Sequence, residues 1–256
     1  MSDLSATYLG HATAQIEARG VRVLTDPLLR PSLFRFLRRR HQPPELEPAA
    51  IDAVLISHVH YDHLDLPSLR SLGTDTPMIV PRGAGALLRR EGFSSVRELI
   101  PGESVDLDGL NVAATPAVHA ASRRGTQAPA SLGYLIDDGE SSVYFAGDTE
   151  LFPGMAEIGP IDLALLPIWG WGPKLGPGHM NPGQAAEALR LLRARRVVPI
   201  HWGTYTPAGA PRIWPWMSEM PAAEFSARAQ TLYPEAAVSI LAPGESIAAA
   251  GSGGPD

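Results

Sequence analysis

The strand that leads into a cluster of histidines constrains this chain more than any other feature of its sequence. Residues 53–57 are Ala-Val-Leu-Ile-Ser, a continuous apolar run of the kind found in strands that are buried on both faces. The loop that follows, residues 58–65, has the sequence HVHYDHLD and holds three of the chain's eight histidines and two carboxylates. The sequence therefore predicts a fully buried strand that leads directly into a metal-binding loop.

Further strands and helices alternate on both sides of this strand. Apolar runs at 8–9, 14–18 and 21–25 predict antiparallel strands, and similar runs predict strands at 78–80, 104–107, 110–115, 132–136, 143–146, 163–168 and 197–200. Helical spacing predicts helices at 66–72, 84–91 and 182–193, the last capped by Asn181 with Pro182 in its first turn. This mixture predicts an α/β fold, an αββα sandwich of two mixed sheets packed face to face with helices on both outer faces.

Length and composition narrow the class of protein. With 256 residues, of which 45% are hydrophobic, the chain is expected to form a single domain over residues 1–248, followed by a disordered tail at 249–256. The net charge of -6 argues against nucleic-acid binding, because neutralising phosphates requires a basic face. A cytoplasmic protein is expected, since the sequence has neither a signal peptide nor a long apolar segment. Because the chain has no cysteine, any metal must be bound through nitrogen and oxygen.

The spacing H-x-H-x-D-H in the loop suits two metal ions. His58 and His60 point the same way if the chain is extended, because alternate residues of an extended chain face one side. Asp62 and His63 lie beyond the turn and can face a second ion. The pattern is rare enough by chance to indicate a metal-binding loop, and one such loop could serve two ions.

Three more side chains that can bind metal follow predicted strands. His119 comes after the strand at 110–115, Asp148 after that at 143–146, and His201 directly after that at 197–200. Strands are rigid, and open sheets collect functional groups at their ends. Gly147, beside Asp148, would permit close backbone approach to a metal.

Together these residues make the chain resemble the metallo-β-lactamase-fold hydrolases. The resemblance extends from Tyr8 to about residue 242, and seven residues match the metal positions of the family in order: His58, His60, Asp62, His63, His119, Asp148 and His201. Three further motifs resemble the branch that contains N-acyl-phosphatidylethanolamine phospholipase D and the L-ascorbate-6-phosphate lactonases. They are Leu-Gly-His-Ala-Thr at 9–13, Leu-Thr-Asp-Pro at 24–27 and His-Met-Asn-Pro at 179–182.

The resemblance implies that the seven residues hold two metal ions. One set would be His58, His60 and His119, and the other Asp62, His63 and His201, with Asp148 as the bridge. Two divalent ions are expected, with zinc favoured and iron or manganese as alternatives that nitrogen and oxygen ligands also accept. The implied reaction is attack by a metal-bound hydroxide on a phosphodiester, or on a lactone or other ester.

Two histidines outside this set are also expected in the active site. In the branch that the chain resembles, such histidines line the site. His179 is therefore a candidate to contact a phosphate or to protonate a leaving oxygen, and His11 is a second candidate. Asp62 is predicted to be catalytic as well as a ligand. Asp26 is expected to hold a neighbouring residue or a turn in place and not to bind metal.

The connection at 168–178 is rich in glycine and proline and is expected to be irregular. Its Trp169 and Trp171, with Trp202, either form an aromatic wall near the metals or belong to the core. Lys174, the only lysine, is a candidate to meet an anion. The predicted partner is therefore a small anionic substrate with an apolar or sugar-like body.

Residues 33–40, LFRFLRRR, are basic and amphipathic at helical spacing. Contact with an anionic membrane surface is one interpretation of this segment. A surface or lid segment packed by Leu33, Phe34 and Leu37 is favoured, because eight residues make a weak membrane anchor.

Two other functions compete with a hydrolase. An iron-dependent oxygenase on the same fold would use much the same ligands and would differ in metal content and oxygen uptake. A non-catalytic metal-binding module is less favoured, because such a module has no need for ligands at seven separate positions.

Overall fold

Two seven-stranded sheets form the centre of the computed structural model, which describes residues 2–34, 36–42, 46–124, 126, 130–170, 174–213 and 219–249. The strands, in chain order, are β1 (Ser5–Gly10), β2 (Thr13–Ala18), β3 (Val21–Thr25), β4 (Ser32–Leu33), β5 (Leu37–Arg39), β6 (Ala53–Leu55), β7 (Met78–Pro81), β8 (Val96–Leu99), β9 (Ser104–Leu107), β10 (Leu110–Pro116), β11 (Leu132–Asp137), β12 (Ser142–Phe145), β13 (Leu163–Pro167), β14 (Arg196–Ile200), β15 (Tyr205–Pro207), β16 (Ala237–Val238) and β17 (Ser246–Ala248). The helices are α1 (Leu66–Leu72), α2 (Gly85–Arg90), α3 (Met155–Ile158), α4 (Pro182–Leu192), α5 (Ala210–Ile213) and α6 (Met220–Leu232), with one turn of 3-10 helix at Pro48–Ala50.

Both sheets have the same pattern of strand pairing. The order is β17-β1-β2-β3-β6-β7-β8 in the first sheet and β9-β10-β11-β12-β13-β14-β16 in the second. In this order, each sheet has three antiparallel pairings followed by three parallel ones. The two sheets therefore share one pairing pattern, with β17 from the C-terminal end completing the first sheet, although no repeat is apparent in the residues.

Apolar side chains lie on both faces of each sheet. Ile16 and Phe145 belong to the core between the sheets. Leu69 of α1 belongs to a second cluster on the outer face of the first sheet, and Leu189 and Phe225 of α4 and α6 belong to a third on the outer face of the second sheet. Strands buried on both faces need apolar residues at successive positions, which explains the continuous runs in the sequence. The predicted αββα sandwich is confirmed.

Residues 33–40 form a β-hairpin, so the helical spacing of this segment was misleading. β4 and β5 pair antiparallel and join β15 in a small three-stranded sheet. Leu33 and Leu37 are cross-strand partners and both are buried. Residues four apart can therefore share an environment across a hairpin as well as along a helix. Phe34 and Phe36 lie between the two strands and are 45% and 57% exposed.

The other predicted elements lie close to their expected positions, and the main omission is α6. Helix α1 spans the predicted residues, and α4 begins at Pro182 with Asn181 as a capping-box residue. In α6, Phe225 is the one large side chain of the buried face, beside Pro221, Ala222 and Ala229. A face made mostly of small residues gives a weak periodic signal, which explains why the sequence did not indicate this helix.

The first residue of the predicted tail packs against the domain. Ala249 is buried, and its N–H donates to the carbonyl of Leu4 at 2.8 Å. The rest of the predicted tail, residues 250–256, lies outside the described residues. Within the described ranges, no helix combines the length and apolar character needed to cross a membrane.

Replacing Phe225 by alanine should lower the free energy of unfolding by about 3–5 kcal/mol, because it removes a fully buried ring from the outer layer of the second sheet. Urea denaturation followed by circular dichroism measures this loss. The control is Leu232→Ala on the same helix, where the side chain is 44% exposed and the expected loss is about 0.5 kcal/mol or less. Equal losses in the two variants would contradict the packing of α6.

Candidate metal centre

The predicted ligands meet at one edge of the sandwich, just beyond the ends of strands. They lie in the loops that follow β6, β10, β12 and β14, and these loops bring all seven residues together: His58, His60, Asp62 and His63; His119; Asp148; and His201. The loop after β3 adds Asp26 to the same region. Parallel strands end at a common edge, which is why residues far apart in the chain can share one site.

Three histidines form the first cluster. The Nε2 atoms of His58 and His119 lie 3.1 and 3.0 Å from Nδ1 of His60. His119 donates its Nδ1 proton to the carbonyl of Gly178 at 2.8 Å, and Nδ1 of His58 lies 3.0 Å from the Ser57 hydroxyl. A neutral imidazole has one ring proton, so the Nε2 atoms of both rings carry lone pairs. Ring nitrogens that face one point in this way are suited to bind a metal ion.

Two histidines and an aspartate form the second cluster. The Nε2 atoms of His63 and His201 lie 3.1 Å apart, and each is 3.4 Å from Oδ2 of Asp62. Nδ1 of His63 donates to Asp26 at 2.6 Å, and Nδ1 of His201 donates to the carbonyl of Trp169 at 3.0 Å. These outer partners direct both Nε2 atoms toward the same point, as the partners of metal-binding histidines do.

Asp148 lies between the two clusters. Its Oδ2 is 3.1 Å from Nε2 of His63, 3.3 Å from Nε2 of His201 and 3.8 Å from Nε2 of His58. Its Oδ1 is buried and has no hydrogen-bond partner among the described residues. A buried carboxylate oxygen without a partner is costly, and a bound cation would satisfy this atom. The position is the one that a bridging ligand would need, and bridging itself stays a prediction.

Three buried carboxylates give the site an excess of negative charge. Asp26, Asp62 and Asp148 are 0%, 7% and 2% exposed. Burial opposes a charge on His63, but the neighbouring carboxylates outweigh it and hold its pKa well above the ordinary value. Burial lowers the pKa of His119 to about 4, so that ring is neutral near pH 7. The three buried carboxylates make the cluster able to bind metal ions, which would supply compensating positive charge.

Asp26 connects the two clusters from behind. Its Oδ2 accepts hydrogen bonds from Nδ1 of His63 at 2.6 Å and from the Ser57 hydroxyl at 2.5 Å, and its Oδ1 accepts from the Ser57 N–H at 2.7 Å. Because the Ser57 proton goes to Asp26, the Ser57 oxygen accepts the proton of His58 Nδ1. Asp26 thus acts on the Nδ1 side of the His63 and His58 rings, directly for His63 and through Ser57 for His58, whereas their Nε2 atoms face the other ligands. This geometry agrees with the expected positioning role of Asp26.

Gly147 permits the loop of Asp148 to approach the loop of His58. Its φ is +60°, and a Cβ at this position would lie 2.5 Å from the Cβ of Ser57. The close approach predicted toward a metal is therefore an approach to Ser57. A larger residue would push Asp148 away from the first cluster.

A cavity of about 220 Å³ opens onto the clusters, and its walls include His60, Asp62, Asp148, Lys174 and His179. Nε2 of His179 lies 3.3 Å from Oδ2 of Asp148, and its Nδ1 donates to the carbonyl of Pro177 at 2.9 Å. Burial lowers the pKa of His179, but the contact with Asp148 outweighs it and raises the pKa above the ordinary value. Two of the predicted substrate-contacting residues, His179 and Lys174, therefore reach the cavity.

His11 lies deeper than His179. Its side chain is 3% exposed, and its Nε2 is 3.0 Å from Oδ2 of Asp62. Its ring is 4.1 Å from the ring of His201 between centroids. The cavity walls do not include it among the described residues. This arrangement suits the orientation of Asp62, and the predicted catalytic role of His11 stays a prediction.

Trp169 and Trp202 take the second of their two predicted roles, as residues of the core. Trp169 and Trp202 pack against the outer layer of the second sheet, and Nε1 of Trp202 donates to the carbonyl of Pro199 at 2.9 Å. Trp171 lies outside the described residues. Exposed aromatic area near the metal loop comes instead from Tyr61, 45% exposed, whose ring lies 5.5 Å from that of Phe34 between centroids. Sequence reasoning missed this contact because residues 34 and 61 meet only after the hairpin has folded.

A comparison with known families identifies the chain. The family model described as "Beta-lactamase superfamily domain" matches residues 21–202, and the chain belongs to this family. The prediction of a metallo-β-lactamase fold is therefore confirmed. Among solved structures, the chain is similar to a metallo hydrolase from the archaeon Ignicoccus hospitalis, with 28% identity, a TM-score of 0.70, and coverage of 95% of this chain and 97% of that one.

Individual relatives agree with the prediction of a metal-dependent hydrolase. A protein of Methanopyrus kandleri named a UPF0173 metal-dependent hydrolase is 31% identical over 94% of this chain and 97% of its own length. An uncharacterized protein of Mycobacterium tuberculosis is 38% identical over 82% of this chain and 61% of its own length. The N-acyl-phosphatidylethanolamine-hydrolyzing phospholipase D 1 of Caenorhabditis elegans is 33% identical over 80% and 65% respectively. The chain thus spans less than two thirds of the length of the latter two relatives.

Replacing Asp26 by asparagine should weaken metal binding by roughly 10–100-fold, the usual effect of removing a partner of a metal-binding histidine. An asparagine has one acceptor oxygen and cannot serve the Ser57 N–H, the Ser57 hydroxyl and His63 together. Competition with a chelator measures the affinity. Asp65→Asn is the control, because Asp65 is also buried and lies in the same loop but caps α1 and pairs with Arg30. Similar affinities in the two variants would argue against a positioning role for Asp26.

Proposed function

We propose that this protein is a dinuclear metal-dependent hydrolase of a small anionic substrate, either a phosphodiester or a lactone or other ester. The observation that carries the proposal is the position of Asp148, whose unpartnered oxygen and four histidine neighbours lie at the edge of a cavity about 220 Å³ in volume. A substrate that enters this cavity would meet the metal ligands directly.

The ligand sets proposed for the two ions follow the two clusters. One ion would be held by His58, His60 and His119, the other by Asp62, His63 and His201, with Asp148 between them. Nitrogen and oxygen donors of this kind suit zinc, the metal we propose, and also iron and manganese. When bound, such ions polarise a carbonyl or phosphoryl oxygen and make water more acidic.

His179 is the residue proposed to handle a proton in the cavity. Its Nδ1 is engaged by the carbonyl of Pro177, so Nε2 is the atom directed toward Asp148 and the cavity. A side chain that is 21% exposed can be reached by a leaving oxygen, and a proton on Nε2 could be transferred to it. Asp62 would contribute as a ligand held in place by His11.

Bound metal ions would offset the buried carboxylates, and an anion could then contact the donors on the cavity walls. Lys174 and His179 provide two donors on these walls. Apolar area lies beside the metal loop, where Phe34, Phe36 and Tyr61 are each at least 45% exposed. An anion with an apolar body would use both features, and the name of the Caenorhabditis elegans relative supports a phosphodiester within that class.

An iron-dependent oxygenase is the competing function. The diiron β-hydroxylase from Streptomyces venezuelae has a TM-score of 0.68 to this chain, but at 21% identity this likeness concerns the fold alone. The ligand atoms do not separate the two reactions. Oxygen uptake by the iron-loaded protein, without hydrolysis of any ester, would favour the oxygenase.

Purified protein should retain about two equivalents of zinc, iron or manganese after reconstitution and dialysis, because its ligands form two clusters. His201→Ala should lose the ion of the second cluster, whereas Asp148→Ala should disturb both ions because Asp148 contacts both clusters. Elemental analysis of each variant measures this. His41→Ala, at an exposed histidine, is the control and should retain wild-type metal content. If His201→Ala and Asp148→Ala also retain the wild-type metal content, the assignment of two metal sites is wrong.

His179→Ala should keep the wild-type metal content and lower kcat by roughly 10²–10⁴-fold, as expected for loss of a general acid. Turnover is measured on an aryl phosphodiester, a phosphorylated lactone and a neutral β-lactam, and only the two anions should be hydrolysed well. Loss of metal together with activity would make His179 a ligand or a structural residue. Efficient turnover of the neutral β-lactam would overturn the proposed substrate class.

A further inference from the structure

Glu150 lies behind the first metal cluster and is not used by the function proposed above. It follows Asp148 by two residues, and its side chain is partly buried. Its Oε1 accepts a hydrogen bond from the N–H of Gly178 at 2.7 Å. The carbonyl of Gly178 in turn accepts the Nδ1 proton of His119 at 2.8 Å. Glu150 therefore holds the residue whose carbonyl fixes the tautomer of a predicted metal ligand.

The backbone of Gly178 can accept neither a side chain nor a shift without affecting His119. Its φ is +81°, and a Cβ at this position would lie 2.4 Å from Nδ1 of His119, so only glycine fits. A shift of the backbone toward the ring would cause a clash, and a shift away would lengthen the bond to His119. The next residue is His179, whose Nε2 lies 3.3 Å from Asp148. A displacement of Gly178 would therefore affect His119 and His179 together.

The backbone of Glu150 is fixed to the segment that leads into His119. The N–H of Glu150 donates to the carbonyl of Val118 at 2.9 Å, and the N–H of Val118 donates to the hydroxyl of Thr149 at 2.9 Å. With the side-chain bond to Gly178 and the bond from Gly178 to His119, these contacts form a closed ring. Three loops that carry site residues are held together by that ring.

We infer that Glu150 is a positioning residue of the metal centre, whose carboxylate closes this ring and so sets the direction of Nε2 in His119 and the place of His179. The inference rests on the proposed metal-binding function. The property that matters is an acceptor oxygen opposite the Gly178 N–H, and not the negative charge of the side chain. This distinction makes the role testable by a conservative substitution.

Glu150→Ala should weaken cobalt binding by roughly 10-fold, the lower end of the effect of outer partners, because Glu150 acts through Gly178. It should also alter the visible absorption spectrum of the cobalt-substituted protein, which reports the geometry of the ligands. Glu150→Gln keeps an acceptor oxygen and should restore both the affinity and the spectrum. Glu157→Ala, which removes an exposed carboxylate on α3, is the control for net charge.

The outcomes separate this inference from the proposed function. If the wild-type protein binds no cobalt, zinc, iron or manganese, the proposed function is wrong. If it binds metal and Glu150→Ala matches it in affinity and spectrum, the inference alone is overturned. The inference would also be overturned if Glu150→Gln bound cobalt as weakly as Glu150→Ala, because the negative charge would then be the property that matters. Glu150→Met, which keeps the volume without the oxygen, replaces the alanine variant if that variant does not fold.

Discussion

The burial of Asp26, Asp62 and Asp148 in one cluster is the constraint on which the rest of the site depends. Buried carboxylates must be compensated, and two of these three contact ring nitrogens that the sandwich directs toward common points. The third, Asp26, is satisfied by Ser57 and His63 and orients the rings from behind. Cations bound in such a cluster would compensate its buried charge. Metal binding would therefore stabilise this edge of the fold.

The shared topology of the two sheets explains how the cluster is assembled. In each sheet, parallel pairing begins at an equivalent strand, β3 in the first and β12 in the second, and each of these strands is soon followed by an aspartate, Asp26 or Asp148. Packing the sheets face to face brings both loops to one edge. Gly147 then allows the loop of Asp148 to contact Ser57 at the start of the histidine loop. The site is therefore formed where the loops of the two packed sheets meet.

Backbone groups outside the predicted ligand set still orient the histidines of the site. The carbonyls of Gly178 and Trp169 fix the tautomers of His119 and His201, and each carbonyl belongs to the connection between β13 and α4. The same connection carries Lys174 and His179 to the cavity. The described residues of this connection thus contact histidines of both clusters and also line the cavity. Substitutions that move this connection should alter metal geometry and substrate contacts together, which makes its anchor at Glu150 significant.

The sequence by itself determined the layered fold and the cap of α4, and it indicated the seven residues that meet in the buried cluster. These depend on local signals: apolar runs, the H-x-H-x-D-H spacing and Asn-Pro at a helix start. It did not determine the hairpin at 33–40, where two leucines four apart suit a helix or a tight turn equally well. It left the role of Trp169 and Trp202 open between a wall and the core, since an aromatic residue near a ligand in sequence can face either side of a strand end. The bond from Glu150 to Gly178 and the meeting of Tyr61 with Phe34 join residues distant in sequence. Only the packing of the two sheets and their loops decides such contacts.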